Sequence, residues 1–364
     1  MRTPRDSGTD LDPKELSDRL EQSASEAGSI KRVEPIVHHH GTMTSIVPFR
    51  EVCKAVAEEA FVTNHLPIIV SLEVGADREQ QEMMVEIMKE EWKGLLLEEP
   101  FEDCDHRKQQ PRLEQLRDKI LIKVKRLDDC NGEILEAQRG RSLTVSSIRA
   151  KPPICDMLAA LAIYTRSEHF DDLKSLSSTT PSHIFSVNED KFLDMISQDK
   201  AKEEKIMDHN RQYFMRIYPK GLRFDSSNPD PTIPWRRGVQ MVAMNWQKTD
   251  EGTMLNDGMF ADTNGWILKP TGFLTNHDQI PTRTVDLRIT ILAGQSIPVP
   301  EGEQAKKLRT RVKVELHVEK PNKSLDLTRT TQPQATENPD WDRKPSPLEF
   351  KEVDGVVEEL SFVR

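Results

Sequence analysis

The chain has 364 residues, a net charge of −10 and 31% charged residues, enough length for two or three domains and a sizeable core. The acidic balance excludes a general nucleic-acid binder, although local basic patches stay compatible with it. Cys53, Cys104, Cys130 and Cys155 are scattered with no CxxC pair, which reads as reduced thiols in a cytoplasmic protein rather than a zinc site. The N-terminus has no apolar h-region and no run reaches transmembrane length, so any membrane contact is expected to be peripheral.

Residues 1–33 are polar, acidic and poor in aromatics, and are expected to be a disordered tail. Four aliphatic runs then read as short buried parallel strands, at residues 36–39, 67–73, 119–125 and 183–186. Each stops on a polar or charged side chain: a histidine, a glutamate, lysines and a serine. Strand ends of this kind are where α/β barrels and open α/β sheets place their chemistry, and this set suits an anionic phosphate substrate, with or without a metal.

Between these strands, Phe49, Val52, Val56 and Ala60 make one helical face behind Pro48. Asp77 and Gln80 have capping-box spacing ahead of a helix with Met84, Ile87 and Met88 inward. Residues 128–157 lose the pattern and gather Gly, Ser, Arg and Pro, as a linker within the barrel would. The α/β pattern resumes at residues 161–165 and runs to about 274. After a short linker at 275–283, residues 285–291 and 308–318 alternate with period two, which predicts antiparallel strands of a small β-sandwich. On the second of these, Arg309, Arg311 and Lys313 suit either anionic lipid or an ordinary solvated edge.

These segments resemble eukaryotic phosphoinositide-specific phospholipase C of the delta-like, fungal type. The resemblance rests on Glu34-Pro35-Ile36-Val37-His38-His39, Thr42-Met43-Thr44-Ser45, Ser71-Leu72-Glu73 and Lys119-Ile120-Leu121-Ile122-Lys123-Val124-Lys125. It continues in order through Tyr164-Thr165-Arg166-Ser167, Phe185-Ser186-Val187-Asn188-Glu189, the Arg216 to Pro229 stretch, and Gly265-Trp266-Ile267-Leu268-Lys269-Pro270. The last region, with Asn338-Pro339-Asp340-Trp341, resembles a C2 domain.

The resemblance implies an α/β fold: an incomplete, split (β/α)8 TIM-type barrel with its X half at 34–127 and its Y half at 158–274, then a partial all-β C2 sandwich at 284–364. It implies calcium-dependent hydrolysis of phosphatidylinositol 4,5-bisphosphate to diacylglycerol and inositol trisphosphate through a cyclic phosphodiester, at an anionic membrane surface. His39 takes the role of general acid then base, with a one-residue shift within the His38-His39-His40 triplet left open. Glu73 is the implied calcium ligand. Lys123, Lys125, Ser186 and Arg216 are the implied phosphate contacts, and Tyr218 packs on the inositol ring. The family's Ser-Ser-His-Asn-Thr segment and Glu-x-Asp pair are not found upstream of Glu34. The expectation is therefore a chain truncated within the X half, lacking the first histidine and most calcium ligands. A non-catalytic phosphoinositide-binding or partner-binding remnant is the alternative.

Overall fold

The structure, a computed structural model, describes residues 33–38, 45–125, 152–168, 173, 177–197, 199–221, 223–274, 279–302, 304, 307–319 and 326–364. Its first element corrects an expectation. Residues 36–39 were expected to form a buried parallel strand, but β1 (Ile36–Val37) pairs antiparallel with β2 (Val47–Pro48), and all four residues are exposed. Pro48 brings no N–H to a ladder and has a φ suited to entering a helix. Helix α1 (Phe49–Glu59) starts directly after it, with the Phe49 N–H donating to Pro35 O at 2.8 Å.

Helix α1 turns Phe49, Cys53 and Val56 inward, against Met84, Val85, Ile87 and Met88 of α2 (Arg78–Glu91). Asp77 caps α2 by accepting the Gln80 N–H at 2.9 Å, as the spacing predicts. Arg50 holds the two helices and the hairpin together, donating to Glu34 at 3.0 Å, Glu90 at 2.7 Å and Glu91 at 2.6 Å. Cys53, Cys104 and Cys155 are buried free thiols, and burial pushes Cys53 up to about 12, which keeps it protonated and inert.

Strands β3 (Ile68–Ser71) and β4 (Ile120–Lys123) run parallel, with Ser71 level with Lys123. After α3 (Asp156–Ala160), four strands follow as one parallel sheet in chain order: β5 (Arg166–Glu168), β6 (His183–Asn188), β7 (Phe214–Tyr218) and β8 (Met241–Val242). Helices α4 (Glu189–Ser197) and α5 (Lys200–Gln212) connect β6 to β7, α6 (Thr232–Trp235) precedes β8, and α7 (Glu251–Phe260) follows it. The two sheets join at β4 and β5, where the Ser167 N–H donates to Val124 O at 3.1 Å and Lys125 bridges Ser167 in parallel. The product is an arc of parallel strands from β3 to β8, part of the barrel expected from the sequence.

The stretch at 161–165, where the α/β pattern resumes, leads into β5, which starts at Arg166. Tyr164 is fully buried, its hydroxyl accepting the Phe101 N–H at 2.8 Å and donating to Cys104 O at 3.3 Å. Its carbonyl accepts from Gln110 Nε2 at 3.0 Å, so the backbone is committed to loops and not to a ladder.

Among the described residues, β3 and β8 each have one hydrogen-bonded neighbour. The chain closes the space between them at one end. Asn64 Nδ2 donates to Asn264 O at 2.9 Å, and Asn264 Nδ2 donates to Thr63 O at 3.1 Å. Asn264 and Gly265 reach this clasp with φ of 52° and 87°, the left-handed region that Asn and Gly tolerate.

Period-two alternation assigns the two faces of the arc. Ile68, Val70, Leu72, Ile120, Ile122 and Val124 pack against the helices. Phe185, Val187, Met215 and Ile217 do the same with α4 and α5. The residues between them in sequence face the inside of the arc.

The C-terminal region is all β. Strand β9 (Arg283–Ile289) pairs antiparallel with β12 (Leu348–Val356), and β10 (Lys313–His317) lies between β11 (Thr328–Thr330) and β13 (Phe362–Val363). The two sheets share a core of Val314, Leu316, Leu327, Leu348, Phe350 and Val353. The run at 308–318 is continuous strand only from Lys313, and upstream of it Thr310 pairs with Gln334 as an isolated antiparallel bridge. Arg309, Arg311 and Lys313 are all exposed.

Arg236 fastens this region to the barrel. Its buried guanidinium donates to Leu360 O at 2.8 Å, His317 O at 2.7 Å and Thr232 Oγ1 at 3.1 Å. Beside it, Arg237 donates to both Glu319 oxygens, at 2.8 and 2.7 Å, and Trp235 packs near Phe362.

Candidate functional site

Strand parity brings most of the sequence-predicted residues to one place. Lys123 shares the inner face with Ser71, its register partner, and Lys125 with Ser167. Ser186 and Arg216 are register partners on the same face, and Arg216 is level with Met241. Glu73 and Tyr218 continue this face, each two residues beyond Ser71 and Arg216. Ser71, Lys123, Arg216, Gln240, Met241 and Phe260 line a cavity of about 240 Å³ inside the arc.

Lys123 is 5% exposed, and its Nζ donates to Ser167 Oγ at 3.1 Å. Burial, together with the nearby Arg216 charge, pushes its ammonium down to about 8. Burial likewise pushes Arg216 below its ordinary value, opposed by Tyr218 and Glu73. The Arg216 guanidinium carbon lies 5.5 Å from the centre of the Tyr218 ring. Ser186 Oγ is buried with no hydrogen-bond partner among the described residues. Two largely desolvated cations and an unpartnered hydroxyl on one concave face form a cradle suited to an anion, because their burial is costly and an arriving negative charge offsets it.

Lys125 is exposed at the end of β4, and Glu73 is exposed at the rim of the same face. His39 lies outside the described residues. The resemblance also implies calcium, whose hard-oxygen chemistry needs several carboxylate or carbonyl donors. Among the described residues no three His, Cys, Asp or Glu side chains group as a metal ion requires. These residues do not by themselves make a calcium site.

The loops above β6, β7 and β8 are locked to each other. Glu189 is buried at the end of β6 and accepts Arg223 bidentately, at 2.7 and 2.9 Å. Asn228 Nδ2 donates to Asn245 O at 3.2 Å and to Thr253 Oγ1 at 3.0 Å, while its Oδ1 accepts the Asn245 N–H at 2.5 Å. Gly252 must be glycine here, since a Cβ would lie 2.5 Å from Pro229 O. This rigid rim carries the exposed aromatics Phe224, 90% exposed, and Trp246, 73% exposed.

Ser71 and Ser167 received no site role from the sequence. Ser71 sits two residues before Glu73 on a period-two strand, a spacing that places both on one face. Ser167 carried no local signal, since its role depends on which strand pairs with β4.

An arc of parallel strands covered by helices, with basic side chains on its inner face, defines a parallel α/β class of protein. Comparison with known proteins narrows the class. Residues 19–126 match the model of the phosphatidylinositol-specific phospholipase C X domain, and residues 158–272 match that of the Y domain. The chain belongs to the phosphatidylinositol-specific phospholipase C family.

Among its relatives, 1-phosphatidylinositol 4,5-bisphosphate phosphodiesterase 1 of Saccharomyces cerevisiae is 28% identical over 89% of this chain and 44% of its own length. The delta-3-A phosphodiesterase of Danio rerio is 30% identical over 85% of this chain and 42% of its own. The crystal structure of S. officinalis PLC21 superposes with a TM-score of 0.70 at 26% identity, covering 91% of this chain and 42% of that one. The chain thus spans under half the length of each of these relatives.

Proposed function

We propose that this chain acts as a phosphoinositide phospholipase C, binding the inositol headgroup of phosphatidylinositol 4,5-bisphosphate on the inner face of the strand arc and cleaving it to diacylglycerol and inositol trisphosphate. The observation that carries the reading is the convergence of Lys123 and Arg216 on one cavity, with the unpartnered Ser186 hydroxyl level with Arg216 on the same face. In this reading these three hold a ring phosphate, Lys125 meets a second one at the rim, and Tyr218 packs against the inositol ring. His39 would serve as general acid then base, and Glu73 is the carboxylate nearest the headgroup. Residues 34–127 and 158–274 would be the two barrel halves, and 284–364 a C2-like unit.

The test is release of inositol phosphates from phosphatidylinositol 4,5-bisphosphate vesicles by the purified chain with calcium, beside His39→Ala and Glu73→Gln. Release abolished by both substitutions supports catalysis. A second reading, headgroup binding without turnover, is favoured by the donor set, which groups no metal ligands among the described residues. No release together with retained binding of inositol 1,4,5-trisphosphate would select it.

Lys123 gives the site a pH dependence. Its ammonium is held down to about 8 in the free protein, and a bound phosphate favours its charged form. Affinity for inositol 1,4,5-trisphosphate should therefore fall as pH rises above about 8, by up to roughly tenfold per unit. Lys123→Arg, which stays charged, should flatten that fall, as read by calorimetric titration across pH 7 to 10. The stability of the free protein has the opposite sign. Between about 8 and the ordinary lysine value of 10.5 the folded state binds fewer protons than the unfolded chain, so stability gains with rising pH.

Association at an anionic membrane surface, as a peripheral cytoplasmic protein, belongs to the same proposal. No helix among the described residues is long and apolar enough to cross a membrane. Phe224 and Trp246 project from the locked rim above the cradle, and aromatics of this kind favour the lipid interface. Phe224→Ala with Trp246→Ala is expected to weaken sedimentation with phosphatidylcholine vesicles containing phosphatidylinositol 4,5-bisphosphate by about tenfold or more, given ~1.5–3 kcal/mol for burying an aromatic side chain. Binding of soluble inositol trisphosphate should be unchanged. Equal vesicle binding by the double variant would remove the rim from the membrane contact.

A further inference from the structure

The cradle contains a residue to which no phosphate role has been given. Lysine is a compact charge on a flexible four-carbon stem, so a lysine that must meet a phosphate needs something to fix its ammonium. Among the described residues the Lys123 Nζ donates one hydrogen bond, to Ser167 Oγ at 3.1 Å. The serine is itself well anchored. Its N–H donates to Val124 O at 3.1 Å, and Thr165, two residues before it, donates through Oγ1 to Ile122 O at 2.8 Å. On the opposite face of the strand Arg166 and Glu168 pair at 2.7 Å. The hydroxyl is thus placed by the backbone of β5 and carries no long stem of its own.

The chemistry of the partner matters as much as its position. A carboxylate at this point would neutralise the ammonium and repel an incoming phosphate. A hydroxyl accepts one N–H without cancelling the charge, and the other two ammonium donors are left for a ligand. Those donors face a cavity already lined by Ser71 and Arg216.

We propose that Ser167 is a positioning residue of the phosphate cradle, a neutral acceptor that fixes the Lys123 ammonium so that its remaining donors and its full charge meet the phosphate beside Arg216. This inference rests on the phosphate reading of the cavity given above. It assigns Ser167 no contact with the reacting atoms.

The test is a double-mutant cycle in the full chain, with inositol 1,4,5-trisphosphate as the probe in calorimetric titrations. Ser167→Ala should weaken binding about tenfold, the scale of one hydrogen bond to a charged group. Ser167→Thr, which keeps the hydroxyl, should restore most of that loss, a recovery that a loss of mere packing would not show. In a Lys123→Ala background, Ser167→Ala should have no further effect. Thermal melts of each variant establish that the fold is kept.

Wild-type affinity in Ser167→Ala, or the same tenfold loss with Lys123 already removed, would overturn the positioning role while leaving the cradle intact. An unaltered affinity in Lys123→Ala alone would overturn the phosphate reading itself, and the proposal with it.

Discussion

Replacing Arg216 with alanine is expected to weaken binding of inositol 1,4,5-trisphosphate by about 100-fold, since hydrogen bonds to charged groups are worth ~1.5–3 kcal/mol and the guanidinium can make more than one. Arg216→Lys should recover only part of the loss, because it restores the charge but not the planar fork. The stability effect should run the other way. Burial disfavours the charged Arg216 more than the nearby Tyr218 and Glu73 favour it. The free protein therefore bears a cost at this position that a ligand offsets. Arg216→Ala should melt at or above the wild-type temperature, provided the backbone pairing of β7 with β6 and β8 is kept. A variant that loses both binding and stability would show Arg216 to be structural.

The opposite balance is expected at Arg236. Its guanidinium is buried and likewise disfavoured by desolvation, with Glu319 only 3.9 Å away as partial compensation. Here, however, every donor group is used inside the protein, on Leu360 O, His317 O and Thr232 Oγ1. Arg236→Ala would leave those acceptors unpaired at the seam between barrel and β region, where Trp235, Phe273, Val357 and Leu360 share a core. Unsatisfied buried groups of this kind cost ~1–3 kcal/mol each, so a total loss of about 3 kcal/mol or more is expected. Differential scanning calorimetry should show it as a fall of roughly 6–12 °C, at 2–4 °C per kcal/mol for a domain of this size. A shift under about 2 °C would mean that the seam is held by its apolar contacts alone. Half-buried Arg216 and buried Arg236 thus have opposite expected signatures, one reserved for a ligand and one spent on the fold.

Much of the barrel was legible because strands covered by helices must be apolar on the outer face and can be polar on the inner one only near their ends. Ile68, Val70 and Leu72, against Ser71 and Glu73, show this alternation even within a nearly continuous aliphatic run. That Lys123, Ser186 and Arg216 share the inner face was legible for the same reason, reinforced by the order of the family segments. The hairpin at Ile36–Val37 was misread. An isolated aliphatic pair looks the same in a parallel and an antiparallel setting, and only the return of Val47–Pro48 decides between them.

Other features had no local signal at all. The Ser167 contact and the Asn64–Asn264 clasp join residues 44 and 200 positions apart, through pairings that no short window contains. Arg236 and Arg237 lie in an ordinary-looking turn, and their partners are set by the docking of the β region. The calcium expectation came from the resemblance alone, and the described residues supply a single member of the expected ligand set, Glu73.

The most direct measurement is a crystal structure of the chain with inositol 1,4,5-trisphosphate. The account predicts one ring phosphate within hydrogen-bond reach of Lys123 Nζ, Ser186 Oγ and the Arg216 guanidinium, with Lys123 still held by Ser167 and the inositol ring against Tyr218. Electron density for the ligand only at a surface patch such as Arg309, Arg311 and Lys313, with the inner face empty at saturating concentration, would contradict it.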